Sequence, residues 1–168
     1  MSLTDVYASK RRSAAQALAC IRDGDRIIVP TGVGEPPALL TALSDRRREW
    51  HDVTVAQILA MRKFGYIDPE TTAHVRHVAL FYGGATRQGG QQGWIDFTPN
   101  CFSELPAMIE RGQIGADVVL TMASPMDSHG WFSISLGTDY TMAAIARARA
   151  VVPEVNPNVP FAYGSCHV

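Results

Sequence analysis

Apolar residues along this chain fall into short runs divided by polar, glycine- and proline-rich breaks, and the runs alternate between two periods. Ala14, Ala17, Leu18 and Ile21 recur at helical spacing and predict a helix over 9–21, ended by Asp23-Gly24. Arg26-Ile27-Ile28-Val29 reads as a first strand. Ala38 to Leu43 reads as a helix with prolines in its first turn, where no helical hydrogen bond is lost. Residues 53–59 and 78–82 form the second and third strands, and Leu105 to Arg111 a short helix opened by Pro106 and closed by Gly112. Val118-Val119-Leu120-Thr121-Met122 is almost unbroken in its apolarity, the pattern of a parallel strand buried on both faces. A strand over 131–134 follows, then a helix from about Asp139 with Thr138 as N-cap and Arg147 and Arg149 near its end. A last strand covers 150–155. The glycine-rich run 83–93 predicts a mobile surface loop, and Met1-Ser2-Leu3 is set aside from the fold reading.

Strands alternating with helices at this spacing predict an α/β domain with a mostly parallel sheet, helices on both faces and right-handed crossovers. No internal repeat and no interdomain linker interrupts 1–168, so a single domain is expected. Ligands of open α/β sheets sit beyond the carboxyl ends of the strands. The loops at 31–37, 124–130 and 156–160 are therefore placed on one rim.

Composition narrows the classes. An apolar fraction of 46% and a charged fraction of 18% over 168 residues give enough core for one globular domain and no argument for disorder. A net charge of −1 provides no field for nucleic acid or an anionic membrane. Arg11-Arg12 and Arg46-Arg47-Arg48 lack interleaved aromatics and read as solvated helix surface. No apolar run is long enough to span a bilayer and no signal-peptide h-region follows the start, so neither a membrane nor a nucleic-acid partner is expected, and a cytoplasmic location is. Cys20, Cys101 and Cys166 are far apart and odd in number, which argues against a disulfide framework. Cys166-His167 has no second ligand pair at zinc spacing, and no metal site is expected.

Three loops carry candidate chemistry. Gly32-Val33-Gly34-Glu35-Pro36-Pro37 lies between a strand and a helix, as a dinucleotide loop would, but Pro37 stands at the third glycine position. Leu59-Ala60-Met61-Arg62 also brings no acid to the tip of the second strand, and no Gly-Lys-Ser/Thr follows, so nicotinamide and nucleoside-triphosphate readings both fall. Glu35 either complements the positive end of the helix it opens or reaches the rim as a polar contact to substrate. Ser124-Pro125-Met126-Asp127-Ser128-His129-Gly130 gathers hydroxyls, an acid and an imidazole, but no Gly-x-Ser-x-Gly elbow occurs. Asp127 and Ser128 forming a turn closed by Gly130 is preferred to direct chemistry, and exposed amides there can also hold an oxyanion. The histidines are scattered, with no pair at helical ligand spacing.

Gly-Val-Gly-Glu-Pro at 32–36, Phe-Tyr-Gly-Gly at 81–84 and Ser-Pro-Met-Asp-x-x-Gly at 124–130 resemble the acetyl-CoA hydrolase/transferase family, the group that includes 4-hydroxybutyrate CoA-transferase. Ala143-Ala144 and Glu-Val-Asn-Pro-Asn-Val-Pro at 154–160 extend the similarity across nearly the whole chain. The resemblance implies a Rossmann-like domain of the CoA-transferase fold, one of two halves around a cleft. It implies acyl-CoA and a small carboxylic acid as substrates, coenzyme A entering as a thioester substrate and no separate cofactor. It also implies a glutamate that attacks the thioester and becomes a glutamyl-CoA intermediate. That glutamate belongs, in the family, to a Thr-Glu-Met-like block before an Asp-Gly pair in the second half, and no such block occurs here. The chain is accordingly read as an N-terminal half: a fragment, a proteolytic remnant or one subunit of a split protein, inactive alone and prone to self-associate as a homo-oligomer. No catalytic residue is assigned to it. Gly32, Gly34, Glu35, Tyr82, Gly83, Ser124, Asp127 and Asn156 are the expected cleft residues. Hydrolysis of acyl-CoA and a non-catalytic acyl-CoA or small-acid binding module are the alternatives, and a sugar-phosphate isomerase rests on architecture alone.

Overall fold

The computed structural model describes residues 2–168; Met1 lies outside them. Strands β1 (Arg26–Ile28), β2 (Val53–Gln57), β3 (Val75–Ala79), β4 (Asp96–Phe97), β5 (Val118–Ala123) and β6 (Ala150–Val155) form one sheet in the order β4-β3-β2-β1-β5-β6. Every pairing is parallel, as the apolar runs predict. One face is covered by α2 (Ala14–Ala17) and α3 (Pro37–Asp45), burying Ile27, Val29, Val55, Val118 and Leu120 with Leu39, Leu40 and Leu43. The opposite face is covered by α5 (Leu105–Glu110) and α6 (Thr141–Arg147), which enclose Ile28, Val119, Leu105, Ile109, Tyr140 and Ala144. Alternate residues of β1 and β5 thus enter different cores, which is why apolar side chains follow one another in Ile27-Ile28 and Val118-Val119-Leu120.

Several local expectations are corrected. The single helix over 9–21 is two: α1 (Leu3–Lys10) starts within the set-aside leader, and α2 follows after an extended Arg11. Two reciprocal capping boxes, Ser2 with Asp5 and Ser13 with Gln16, each start a helix, and Ser13, in extended conformation, prevents one helix from running through. The second strand stops at Gln57, and the third covers 75–79 rather than 78–82. Arg76 and His77 interrupt the apolar run and so conceal its start, although His77 is buried and pairs in register with Val55.

The run 83–93 contains a helix, α4 (Arg87–Gln92), ended by Gly93 at φ 84°. Its glycines serve packing: a Cβ at Gly89 would overlap Ile95, and one at Gly90 would overlap the Tyr82 ring. The strand expected at 131–134 is only an isolated antiparallel bridge, Ser133 to His167. Tyr140 rather than Thr138 precedes α6, and Arg149 lies beyond that helix, paired with Asp25 at 2.7 Å. No helix among the described residues is long and apolar enough to cross a membrane.

Candidate functional site

From β1 the chain moves outward through β2, β3 and β4, then returns to lay β5 on the other side of β1. The order reverses between β1 and β5, and the crevice beyond their carboxyl ends is the favoured ligand position in such a sheet. Two walls flank it. One comprises the loops after β1 and β2, the other the loops after β5 and β6.

The first wall is fastened from beneath by buried side chains. Val29 N donates to Ala56 O at 3.1 Å, so the next rung of a parallel ladder would join Ile58 N to Val29 O. The Tyr140 hydroxyl occupies that rung instead, donating to Val29 O at 2.6 Å and accepting from Ile58 N at 3.2 Å. It splits the strand ends without orphaning either backbone group. Above the split, Gln57 Nε2 donates to Pro30 O at 3.1 Å and to Glu35 Oε2 at 3.2 Å. The same carboxylate oxygen accepts from Met61 N at 2.9 Å, while Gly32 N donates to Leu59 O at 3.2 Å. Asp139 holds the other flank, accepting from Thr31 N at 3.0 Å and from Thr141 N at 3.0 Å.

Glycines allow the closest approaches in this wall. Gly32 has φ +50°, and a Cβ there would lie 3.9 Å from Met61 Sδ, so the thioether lies over this turn. A Cβ on Gly34 would come within 2.7 Å of Pro30 Cβ and 3.0 Å of Gly137 Cα. The turns at Gly32–Gly34 and Ser135–Gly137 thereby pack glycine against glycine, and Val33 and Leu136 are left facing solvent. With Met61 and Phe81 they are more than half exposed, a row of large apolar side chains along the rim.

Glu35 itself is only 5% exposed. Its first expected role, complementing the start of α3, falls instead to Glu154 of β6, whose Oε2 accepts from Ala38 N at 2.9 Å and Leu39 N at 3.0 Å. Among the described residues, Glu35 Oε1 and Gln57 Oε1 have no partner, nor do the Tyr66 hydroxyl or either ring nitrogen of His77. Burial raises the Glu35 carboxyl above the usual glutamate range, against the lowering effect of the Met61 amide and Gln57. Burial also raises the Tyr66 phenol, to which the Glu35 charge adds, and lowers the His77 imidazole to about 4.

The second wall is closed by local bonds. Asp127 Oδ1 accepts from His129 N and Trp131 N, both at 2.9 Å, and Gly130 takes φ +90° to complete the turn. The Trp131 amide is the main reason the Asp127 carboxyl lies below its ordinary range. Ser128 adds no amide bond to this turn; its hydroxyl faces His129 Nδ1 at 3.5 Å. Asp127 Oδ2 approaches the same Nδ1, at 3.4 Å, so the ring cannot pass a proton between them as a serine–histidine–aspartate relay does. Ser124 is buried, accepting from Ser133 N at 3.0 Å and donating to Pro125 O at 3.0 Å. Asn156 accepts from Asn158 N at 2.9 Å and closes the turn after β6.

Tyr82 and Gly83 follow β3. The Tyr82 ring stacks on Phe97 at 4.8 Å, and Gly83 sits where a Cβ would meet Leu59 Cδ1 at 2.8 Å. All eight expected cleft residues therefore lie on the carboxyl rim, but as a row rather than a cluster. From β3 to β6 four strand spacings span about 19 Å, too far for one small acyl group to touch both Tyr82 and Asn156. Sequence reading missed Gln57, Met61, Leu136, Asp139 and Tyr140. The available signal was Gln57, a glutamine between Ala56 and Ile58 in a largely apolar run.

The profile of the acetyl-CoA hydrolase/transferase N-terminal domain matches residues 1–166. The succinyl-CoA:cyclohexane-1-carboxylate CoA transferase of Geobacter metallireducens is 38% identical over 96% of this chain, and the 4-hydroxybutyrate coenzyme A transferase of Clostridium kluyveri is 32% identical over all of it. The chain spans 37% and 39% of the length of those relatives. RipA from Yersinia pestis superimposes over the whole chain with a TM-score of 0.89 and 27% identity, and 42% of RipA is covered.

Proposed function

The chain belongs to the acetyl-CoA hydrolase/transferase family, and from that premise we propose that it forms the acyl-receiving wall of an enzyme moving CoA between an acyl-CoA and a small carboxylic acid. The observation that carries this reading is the row Val33, Met61 and Leu136, exposed at the point of strand reversal and braced by buried polar groups. An apolar, preorganised surface suits an acyl chain and fixes its thioester carbonyl relative to a nucleophile. Gly32 and Gly34 keep the backbone low beneath that surface, and Glu35 supports it from inside. Ser124, Asp127 and Asn156 shape the facing wall, while Tyr82 and Gly83 bound its outer end.

The nucleophile in this proposal is a glutamate in the part of the relatives that this chain does not span. Its carboxylate attacks the thioester carbonyl and expels CoA thiolate, leaving an acyl-glutamyl anhydride. The thiolate then attacks the glutamyl carbonyl, releasing the acyl group as a carboxylate and forming glutamyl-CoA. The acceptor carboxylate takes the CoA by the reverse sequence, and water in its place gives hydrolysis. Ser124 is engaged at both ends and the Ser128–His129–Asp127 group shares one nitrogen, so the chain alone is proposed to be inactive.

The test mixes this chain with the separately produced remaining segment of the Geobacter relative and follows CoA exchange between acetyl-CoA and butyrate. Exchange dependent on both components is expected. A correctly folded complex that stays inert across acyl donors and acceptors would contradict the reading.

A further inference from the structure

Glu35 connects two loops that are far apart in sequence. One carboxylate oxygen receives both Gln57 Nε2 and Met61 N, and Gln57 also reaches back to Pro30 O. The carboxylate is thus a latch between the turn carrying Val33 and the loop carrying Met61. It is almost fully buried, and its second oxygen meets no donor among the described residues. A group so placed does not touch a ligand in this conformation. The thioether of Met61, on the loop that this bond reaches, lies over Gly32.

We propose that Glu35 is a positioning residue for the acyl-receiving wall, holding Met61 against the Gly32 turn and thereby setting which acyl lengths the rim accepts. The acyl part of this proposal rests on the transferase reading above; the latch does not. A carboxylate acceptor suits this task because an ionised acceptor strengthens its hydrogen bonds, and two amide donors, the Gln57 side chain at the end of β2 and the Met61 backbone in the loop after it, converge on one oxygen. Hydrogen bonds to charged groups are worth enough that deleting this one should open the Met61 amide about tenfold or more in local exchange.

The test compares Glu35→Ala, Glu35→Gln and Ile109→Val, the last being a core change on the opposite face that lowers global stability without touching the latch. Amide hydrogen exchange at Met61, and the nuclear Overhauser contact between the Met61 ε-methyl and Gly32 Hα, are read in each. Glu35→Ala should accelerate Met61 exchange about tenfold and abolish the methyl contact, while Glu35→Gln, which keeps one acceptor, should restore most of both. Ile109→Val should leave both unchanged. Equal acceleration in Glu35→Ala and Ile109→Val would reduce Glu35 to a general structural role and overturn the proposal. Should Glu35→Ala not fold, a through-hydrogen-bond coupling from Met61 N to the Glu35 carboxyl carbon in the unmodified chain decides the latch, and its absence overturns it. In the two-component assay, Glu35→Ala should shift the butyryl-CoA to acetyl-CoA ratio of kcat/KM while Ile109→Val keeps it; a uniform loss for both donors would contradict the acyl-length role. Failure of the unmodified pair to exchange CoA would remove the transferase reading, and the latch would then stand or fall on Met61 alone.

Discussion

The two walls of the crevice are built by opposite means. On the β1–β2 side, polar side chains brought together from positions 35, 57, 139 and 140 act over separations of 22 to 111 residues. On the β5 side, Asp127 closes its turn with partners two and four residues away. Buried long-range bonds exclude water and leave unpaired groups when broken, whereas an exposed turn returns its groups to solvent. The first wall should therefore behave as part of the core and the second as a surface feature.

The sharpest test of that contrast is Tyr140→Phe. It leaves Val29 O and Ile58 N without their partner, at a cost of about 1–3 kcal/mol for each group, so a loss of roughly 3 kcal/mol is expected in urea unfolding. Asp127→Ala should move the midpoint far less. Equal losses would erase the distinction between the walls.

Acid probes the sheet beneath the walls next, at β3. His77 is buried with neither nitrogen paired, and its imidazole titrates near 4 against an ordinary value of 6.5. A depressed histidine contributes stability that is whole above 6.5 and is lost as pH falls through 4, a window of roughly 3 kcal/mol at about 1.4 kcal/mol per unit. His77→Leu should remove most of that decline in unfolding experiments run from pH 7 to 4. An unchanged acid profile would mean that the imidazole finds a partner or water in solution.

Gly34→Ala probes the close approach of the two turns. The added Cβ would meet Pro30 and Gly137, and overpacking of this kind costs about 1–3 kcal/mol, so a melting temperature several degrees lower is expected. The matching change at Gly130, where φ is +90° but the nearest neighbours are the flexible atoms of Leu3, should act through backbone strain alone.

The smallest effect concerns Glu35 ionisation. Because burial raises its carboxyl, ionising Glu35 costs more in the fold than in the unfolded chain, and its contribution to stability is whole below the ordinary glutamate range and lost as pH rises through the raised value. Glu35→Gln should therefore gain stability relative to the unmodified chain as pH increases from 4 to 7. A difference independent of pH would show that Glu35 is not desolvated.

What was legible in the sequence follows the same division. The parallel sheet could be read because β1 and β5 declare burial on both faces within a few residues, and the Asp127 turn because its donors are neighbours. Glu35 could be singled out but not assigned, since its partners Gln57 and Met61 become neighbours only through the β1–β2 pairing. Tyr140 looked like one more residue of a helix start, and nothing local marks a hydroxyl that replaces a rung between two other strands. The α4 segment was hidden by its own glycines, which signal flexibility in isolation and close packing in context.

The central claim, that the latched wall receives the acyl group, is tested most directly by methyl spectra of the chain titrated with butyryl-CoA. Met61, Met126 and Met108 report on the first wall, the second wall and the remote face of α5 in one spectrum. The account expects the Met61 ε-methyl to shift most, Met126 less and Met108 not at all. Shifts confined to Met108, or an unmoved Met61 while Met126 responds, would contradict it.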